Sequence, residues 1–171
     1  MIGPAPKSET SAVFDYQSVF HVGVRVPDLD QAMERTGLGL GLTWARPVER
    51  DQSWWSPERG SAMARLHFTY SSAGPQHVEL LHGSPGSIWD PGDADGPGIH
   101  HVGIWVDDVA TTTEQLIAVG WSLVAANASP DEGYGIFSYL RSPDGLLVEP
   151  VSTGVRDEME RWFTSSSLGG I

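Results

Sequence analysis

One stretch of the chain occurs twice. His21-Val22-Gly23-Val24-Arg25-Val26-Pro27-Asp28 matches His101-Val102-Gly103-Ile104-Trp105-Val106-Asp107-Asp108 at an offset of 80 residues. Behind each copy lies a helical pattern, 29–38 after Asp28 and 109–119 after Asp108. Either aspartate can cap its helix, and Gly120 can stop the second. An apolar strand with a central acid closes each half: His77-Val78-Glu79-Leu80-Leu81 and Leu147-Val148-Glu149-Pro150-Val151. That second pair is offset by 70, which leaves ten extra residues in the first half. The repeat arithmetic assigns them to a loop over 50–60 carrying Trp54 and Trp55. A unit repeated this way buries its apolar face against its own copy, so the duplication governs the whole fold.

Each half reads as strand, helix, then three strands. The strands are expected over 18–26, 42–48, 62–70 and 76–81, then over 99–106, 121–127, 135–141 and 146–151, with Ser142-Pro143-Asp144-Gly145 turning the last hairpin. The fold class is α+β, two tandem βαβββ modules. Boundaries follow: 1–17 loosely ordered, 18–82 the first module, 83–98 a Gly/Pro/Asp-rich connector, 99–152 the second module, 153–171 a tail with a short helix. The length of 171 residues suits this arrangement.

Composition narrows the function. There is no cysteine, hence no disulfide framework and no thiolate ligand or nucleophile. A net charge of −12 with one lysine supplies no basic patch for nucleic acid or an anionic membrane surface. No apolar run reaches the roughly 20 residues of a spanning helix, and the first residues lack a secretory signal. A cytoplasmic protein acting on a small molecule is the expectation.

Strand parity then sorts side chains by face. With Val22, Val24 and Val26 set against the first helix, His21 and Arg25 face away. Val102, Ile104 and Val106 lie under the second helix, leaving His101 and Trp105 opposite and His100 on the helix side. Val78 and Leu80 leave His77, Glu79 and Leu81 opposite, and Glu149 takes the matching place. In the third strand, Ala64, Leu66 and Phe68 are expected to be buried, with Met63, Arg65 and His67 facing the other way. Two histidines and two glutamates thus share one face at equivalent places in the two halves. A lone His or Glu on a strand is usually ordinary half-buried polarity. Four, duplicated with the repeat, are a ligand set for one divalent Fe, Mn, Co, Ni or Zn ion, leaving room for water or substrate.

The segments FHVGVRVPDLDQA, QHVELL, GIHHVGIWVDDV and SPDGLLVEPV resemble the vicinal oxygen chelate superfamily, which includes glyoxalase I, methylmalonyl-CoA epimerase, extradiol dioxygenases and bleomycin resistance proteins. The resemblance spans about residues 18–152. It implies two βαβββ modules forming a curved cleft around a metal, with His21, Glu79, His101 and Glu149 as ligands, and a homodimer. Pro57-Glu58-Arg59-Gly60 is similar to the epimerases, yet Met63 stands where they carry a catalytic acid and Glu79 where they usually have Gln. The His/Glu/His/Glu set is closer to glyoxalase I, although no basic cluster for glutathione carboxylates is evident beyond Arg25, Arg65 and Arg141.

The activity implied is metal-assisted proton transfer on a small carbonyl compound by an isomerase, epimerase or lyase, with Glu149 and Glu79 doubling as ligand and base. Trp105, Met63, Arg65, His67, His77, Trp54 and Trp55 are the expected pocket residues, the paired tryptophans serving as a lid or dimer contact. Their aromatic wall suggests an apolar or aromatic substrate. Two other classes stay open: a non-catalytic protein sequestering an aromatic or cationic small molecule, and an extradiol-type dioxygenase.

Overall fold

A computed structural model describes residues 12–92 and 95–165. The expectation of loose order over 1–17 falls mostly outside these residues, as does the end of the tail. The first half runs β1 (Val19–Arg25), α1 (Leu29–Leu40), β2 (Val48–Ser56), β3 (Gly60–Tyr70) and β4 (His77–Gly83). The second runs β5 (Gly98–Val106), α2 (Val109–Ala118), β6 (Ser122–Ala126), β7 (Ser138–Arg141) and β8 (Leu147–Ser152), and α3 (Arg156–Phe163) follows. Both expected caps are made. Asp28 accepts from the Gln31 amide and Asp108 from the Thr111 amide, each at 2.9 Å.

The eight strands close into one barrel in the order β1-β4-β3-β2-β6-β7-β8-β5. Strands β1 and β5 meet antiparallel at one seam, and the other seam joins β2 to β6. Outside the barrel, α1 packs Leu29, Ala32 and Met33 on Val24, Val26, Val78 and Leu80. Val109 and Leu116 of α2 lie against Ile104, Val106, Leu140 and Val148. Removing these apolar faces from water stabilises each module at about 25 cal/mol per Å² buried. Inside, an aromatic cluster runs from Phe68 and Tyr70 through Trp89 to Phe137 and Tyr139, and Phe163 of α3 completes it.

Two expectations reverse in the first half. The second strand is at Val48–Ser56, not 42–48, so the stretch assigned to a loop is a strand with the turn that follows it. It pairs with β3 from Val48↔Phe68 to Ser56↔Gly60 without a break. Residues 42–47 instead carry the chain across from α1, with the Trp44 indole donating to the Met33 carbonyl at 2.9 Å. Trp54 is therefore buried inside the barrel, and Trp55 points to the opposite side, half-buried.

In the third strand the buried face is the expected one, but the face expected to line the pocket points outward. Ala64, Leu66, Phe68 and Tyr70 face the barrel interior rather than a helix. Met63 lies 64% exposed on the outside, and Arg65 pairs there with Glu49 and Asp51. Among the described residues no helix covers the outer face of the β2–β3 hairpin, since α1 covers β1 and β4. The apolar alternation therefore marks the inside of the barrel.

Candidate metal centre

The strand register places the site residues in two rows. Across β4, β1 and β5 the first row is Glu79, Gly23 and His101; across β1, β5 and β8 the second is His21, Gly103 and Glu149. Each row is therefore an acid, a glycine and an imidazole, and each glycine is flanked by the imidazole of the other half. A Cβ built on Gly23 would stand 2.0 Å from His101 Cε1, and one on Gly103 would stand 1.8 Å from His21 Cε1. Only glycine leaves room for the two rings to lie inward over the opposite strand. The His-x-Gly of each repeat is in this sense half of a reciprocal cradle.

Four buried ends converge there. His21 Nε2 lies 2.8 Å from His101 Nε2, 3.5 Å from Glu79 Oε2 and 3.2 Å from Glu149 Oε2. His101 Nε2 is 3.2 Å from each carboxylate. Ligands about 2.1 Å from a shared ion stand roughly 3.0 to 3.4 Å from one another, so these spacings fit one ion. The carboxylates buried here carry negative charge that a dication would balance. Among the described residues His21, His101 and Glu149 form a group able to hold a metal ion, with Glu79 in reach of both rings.

The register shifts by one residue at Phe20 and again at His100, so a β-bulge precedes each site histidine. The bulge brings the His100 ring beside His101, with the two Nδ1 atoms 3.0 Å apart. Simple alternation had set it against α2. Burial, then the positive charge of His101 and Arg25, lowers the His100 pKa to about 2. His101, its own pKa raised, is protonated on both nitrogens near pH 7, so its Nδ1–H donates to Nδ1 of the neutral His100 while Nε2 faces the centre. Burial works against charge on His101, but Glu149 and then Glu79 more than offset it and raise its pKa to about 9. Burial likewise opposes charge on Glu149, and the imidazoles of His101 and His21 hold it well below the usual carboxylate range.

Two tyrosines that the sequence reading passed over complete the centre. Tyr70 packs its ring 5.2 Å from His21, and Tyr139, which accepts from the Trp89 indole at 3.1 Å, lies 5.1 Å from His101. Burial and the two carboxylates push both hydroxyls well above the usual tyrosine range, which keeps them protonated donors. A signal was present in Phe68-Thr69-Tyr70 and Phe137-Ser138-Tyr139, a second repeated motif.

A family model described as the Glyoxalase/Bleomycin resistance protein/Dioxygenase superfamily matches residues 20–138. The chain belongs to this superfamily. It is 25% identical over 151 residues to a lactoylglutathione lyase of Haemophilus influenzae, a match covering 88% of this chain and 98% of that protein. A probable lactoylglutathione lyase of Vibrio cholerae is 24% identical over 131 residues, 77% of this chain and 87% of the relative. Among solved structures, a Streptomyces coelicolor methylmalonyl-CoA epimerase variant in complex with 2-nitronate-propionyl-CoA superposes with a TM-score of 0.54 at 19% identity. That match covers 79% of this chain and 96% of the epimerase. The Mycobacterium tuberculosis epimerase gives 0.52 at 22% identity, covering 79% and 87%. At these identities the solved structures establish the fold, and the fold they share is the two-module barrel described above.

In this member of the glyoxalase/dioxygenase superfamily a cavity of about 490 Å³ opens from Glu79 and Glu149 into the aromatic interior. Of the expected pocket residues, Met63 and Arg65 turn outward with their strand face, and His67 shares that face. Trp54 and Trp55 are not at its rim. Trp105 stacks on Phe20 at 3.7 Å, and His77 donates its Nδ1–H to the Ser71 carbonyl and packs 4.1 Å from Phe163. Both line a separate groove between β1 and α3. The cavity takes Trp89 from the connector and Trp162 from α3 instead.

Proposed function

We propose that this chain is a metal-dependent isomerase, epimerase or lyase that moves a proton on the carbon next to a carbonyl of a small substrate. The observation that supports it is the convergence of His21, Glu79, His101 and Glu149 at 2.8 to 3.5 Å, buried and facing a cavity. These four would hold a divalent Zn, Ni, Co, Mn or Fe ion, which when bound supplies Lewis acidity toward a carbonyl oxygen. The carboxylates of Glu149 and Glu79 take the proton from the substrate carbon and return it. The aromatic walls keep water from competing for the proton. The likeness to a lactoylglutathione lyase and to a methylmalonyl-CoA epimerase supports this reading.

Two measurements test this. Protein purified without chelator or nickel affinity should carry about one transition metal per chain by mass spectrometry, lost in His101→Ala. Glu149→Gln should keep its circular dichroism and slow deuterium exchange next to the carbonyl, across a panel of 2-oxo and 2-hydroxy carbonyl compounds, by on the order of 10²–10⁴. No metal even after reconstitution would leave the cavity as the binding site of a non-catalytic protein. Full activity in Glu149→Gln would remove its role as base.

A further inference from the structure

The cavity has two ends. Glu79 and Glu149 mark one, beside the β1–β5 seam; Arg50 and Gln52, on the interior-facing positions of β2, mark the other. In the barrel order β2 lies three strands from β1 one way and four from β5 the other, so the two ends face each other across the interior. Between them the walls are Leu66, Phe68, Leu81, Trp89, Phe137 and Trp162. Trp162 is fixed there by an indole hydrogen bond to the Arg46 carbonyl at 2.9 Å and by edge contacts on Phe68 and Tyr70.

Arg50 is the one cation lining this space. Its guanidinium rests 5.1 Å over the Phe68 ring, and no carboxylate among the described residues pairs with it. Arg141 and Arg156 meet carboxylates elsewhere, on Asp95 and Glu160. Arg65 on the adjoining strand is pinned by both Glu49 and Asp51. A guanidinium left unpaired, beside an aromatic face and a buried carboxamide, is a place for one planar anion. A second negative charge finds no cation and meets Glu158, which also lines the cavity.

We infer that the ligand of this site is a compact, largely aromatic monoanion that spans the barrel, its oxygen-bearing head at the His/Glu centre and its single acidic group on Arg50. A multiply charged glutathione or coenzyme A conjugate does not fit this lining. The inference deepens the proposed reaction and rests on it for the identity of the head group.

The test compares 3-phenylpropionate with its neutral counterpart 3-phenylpropionamide by tryptophan fluorescence, on the full chain as purified and on Arg50→Gln. Coenzyme A and S-hexylglutathione serve as competitors. The carboxylate should bind at least about 10-fold tighter than the amide, the strength of a charge-assisted contact. Arg50→Gln should abolish that preference and leave the amide affinity unchanged. Equal affinities in the native chain, a preference that survives Arg50→Gln because the carboxylate is held elsewhere, or tighter binding of either conjugate would overturn the inference. Metal content is read on the same preparations. An Arg50-dependent preference without metal retains the anion site and defeats the metal reading; bound metal without Arg50 dependence does the reverse.

Discussion

The two halves of the barrel present the same atoms to the centre but support them differently. Each contributes an imidazole, a carboxylate, a tyrosine whose ring packs edge-on against that imidazole, and a glycine that makes room for the other half's ring. Each also bulges at the residue before its histidine. In the second half that residue is His100, whose Nδ1 meets His101 Nδ1 at 3.0 Å. In the first it is Phe20, an edge contact 4.4 Å from His21, whose Nδ1 has no hydrogen-bond partner among the described residues. A metal-binding histidine ordinarily donates its remote N–H to an oriented acceptor. Duplication has thus kept what faces the candidate centre and let what lies behind it diverge, one imidazole tethered by a hydrogen bond and the other wedged by aromatic packing.

The cradle is the part that should tolerate no asymmetry. Gly23→Ala and Gly103→Ala each drive a methyl to within 2.0 Å and 1.8 Å of the opposite ring, and the obstructing atoms are a ligand rather than a flexible surface chain. Both variants should lose metal affinity by on the order of 100-fold or more, since each displaces a ligand outright where loss of a supporting partner already costs 10- to 100-fold. Cobalt titration followed by visible absorbance reads the loss, and circular dichroism checks the barrel. If one glycine tolerates alanine while the other does not, the two rows are not equivalent and the reciprocal cradle fails.

How much of this could be read from the chain depends on where alternation held. Asp28 and Asp108 as caps, the helix-covered valines and the shared face of His21, Glu79, His101 and Glu149 were all legible, because the repeat fixes them twice and a period of two carries them to one side. The place of β2 was not legible: a ten-residue difference shows that something is longer, not where. Phe68 and its neighbours are buried as expected, but Met63, Arg65 and His67 were set in the pocket because apolar alternation identifies a buried face without saying whether a helix or a cavity buries it. At His100 the parity itself breaks, and a bulge leaves no mark in residue types alone. Tyr70, Tyr139 and Trp89 are apolar enough to pass for core, and their polar work depends on neighbours brought from other strands.

The unequal backing predicts unequal effects of intermediate size. His100→Phe converts the second half to the first half's arrangement and removes the acceptor that fixes the His101 tautomer. Metal affinity should fall about 10-fold or more. Phe20→Leu, which trims the wedge but leaves His21 its ring position over Gly103, should change affinity by less than that. Competition with a chelator of known affinity measures both. Equal losses would mean that packing and hydrogen bonding support the rings interchangeably.

The last effect is graded with pH and concerns protons. In the metal-free chain His101 has its pKa raised to about 9, with Glu149 the larger favourable cause and Glu79 the lesser. An ion needs the neutral imidazole, so uptake at pH 7 must displace the proton that His101 carries there. Apparent affinity should climb by up to tenfold per pH unit below about 9 and flatten above it, because the competing protonated form disappears. Calorimetry in buffers of different ionisation enthalpy counts the protons released. The two glutamates then separate the halves once more. Glu149→Gln removes the stronger partner and should bring His101 back toward its ordinary value near 6.5, so that release at pH 8 largely vanishes. Glu79→Gln removes the weaker partner and should leave most of the release in place. Identical proton counts for the two variants would mean that His101 is coupled equally to both carboxylates, and that the electrostatics of the centre are as symmetric as its ligands.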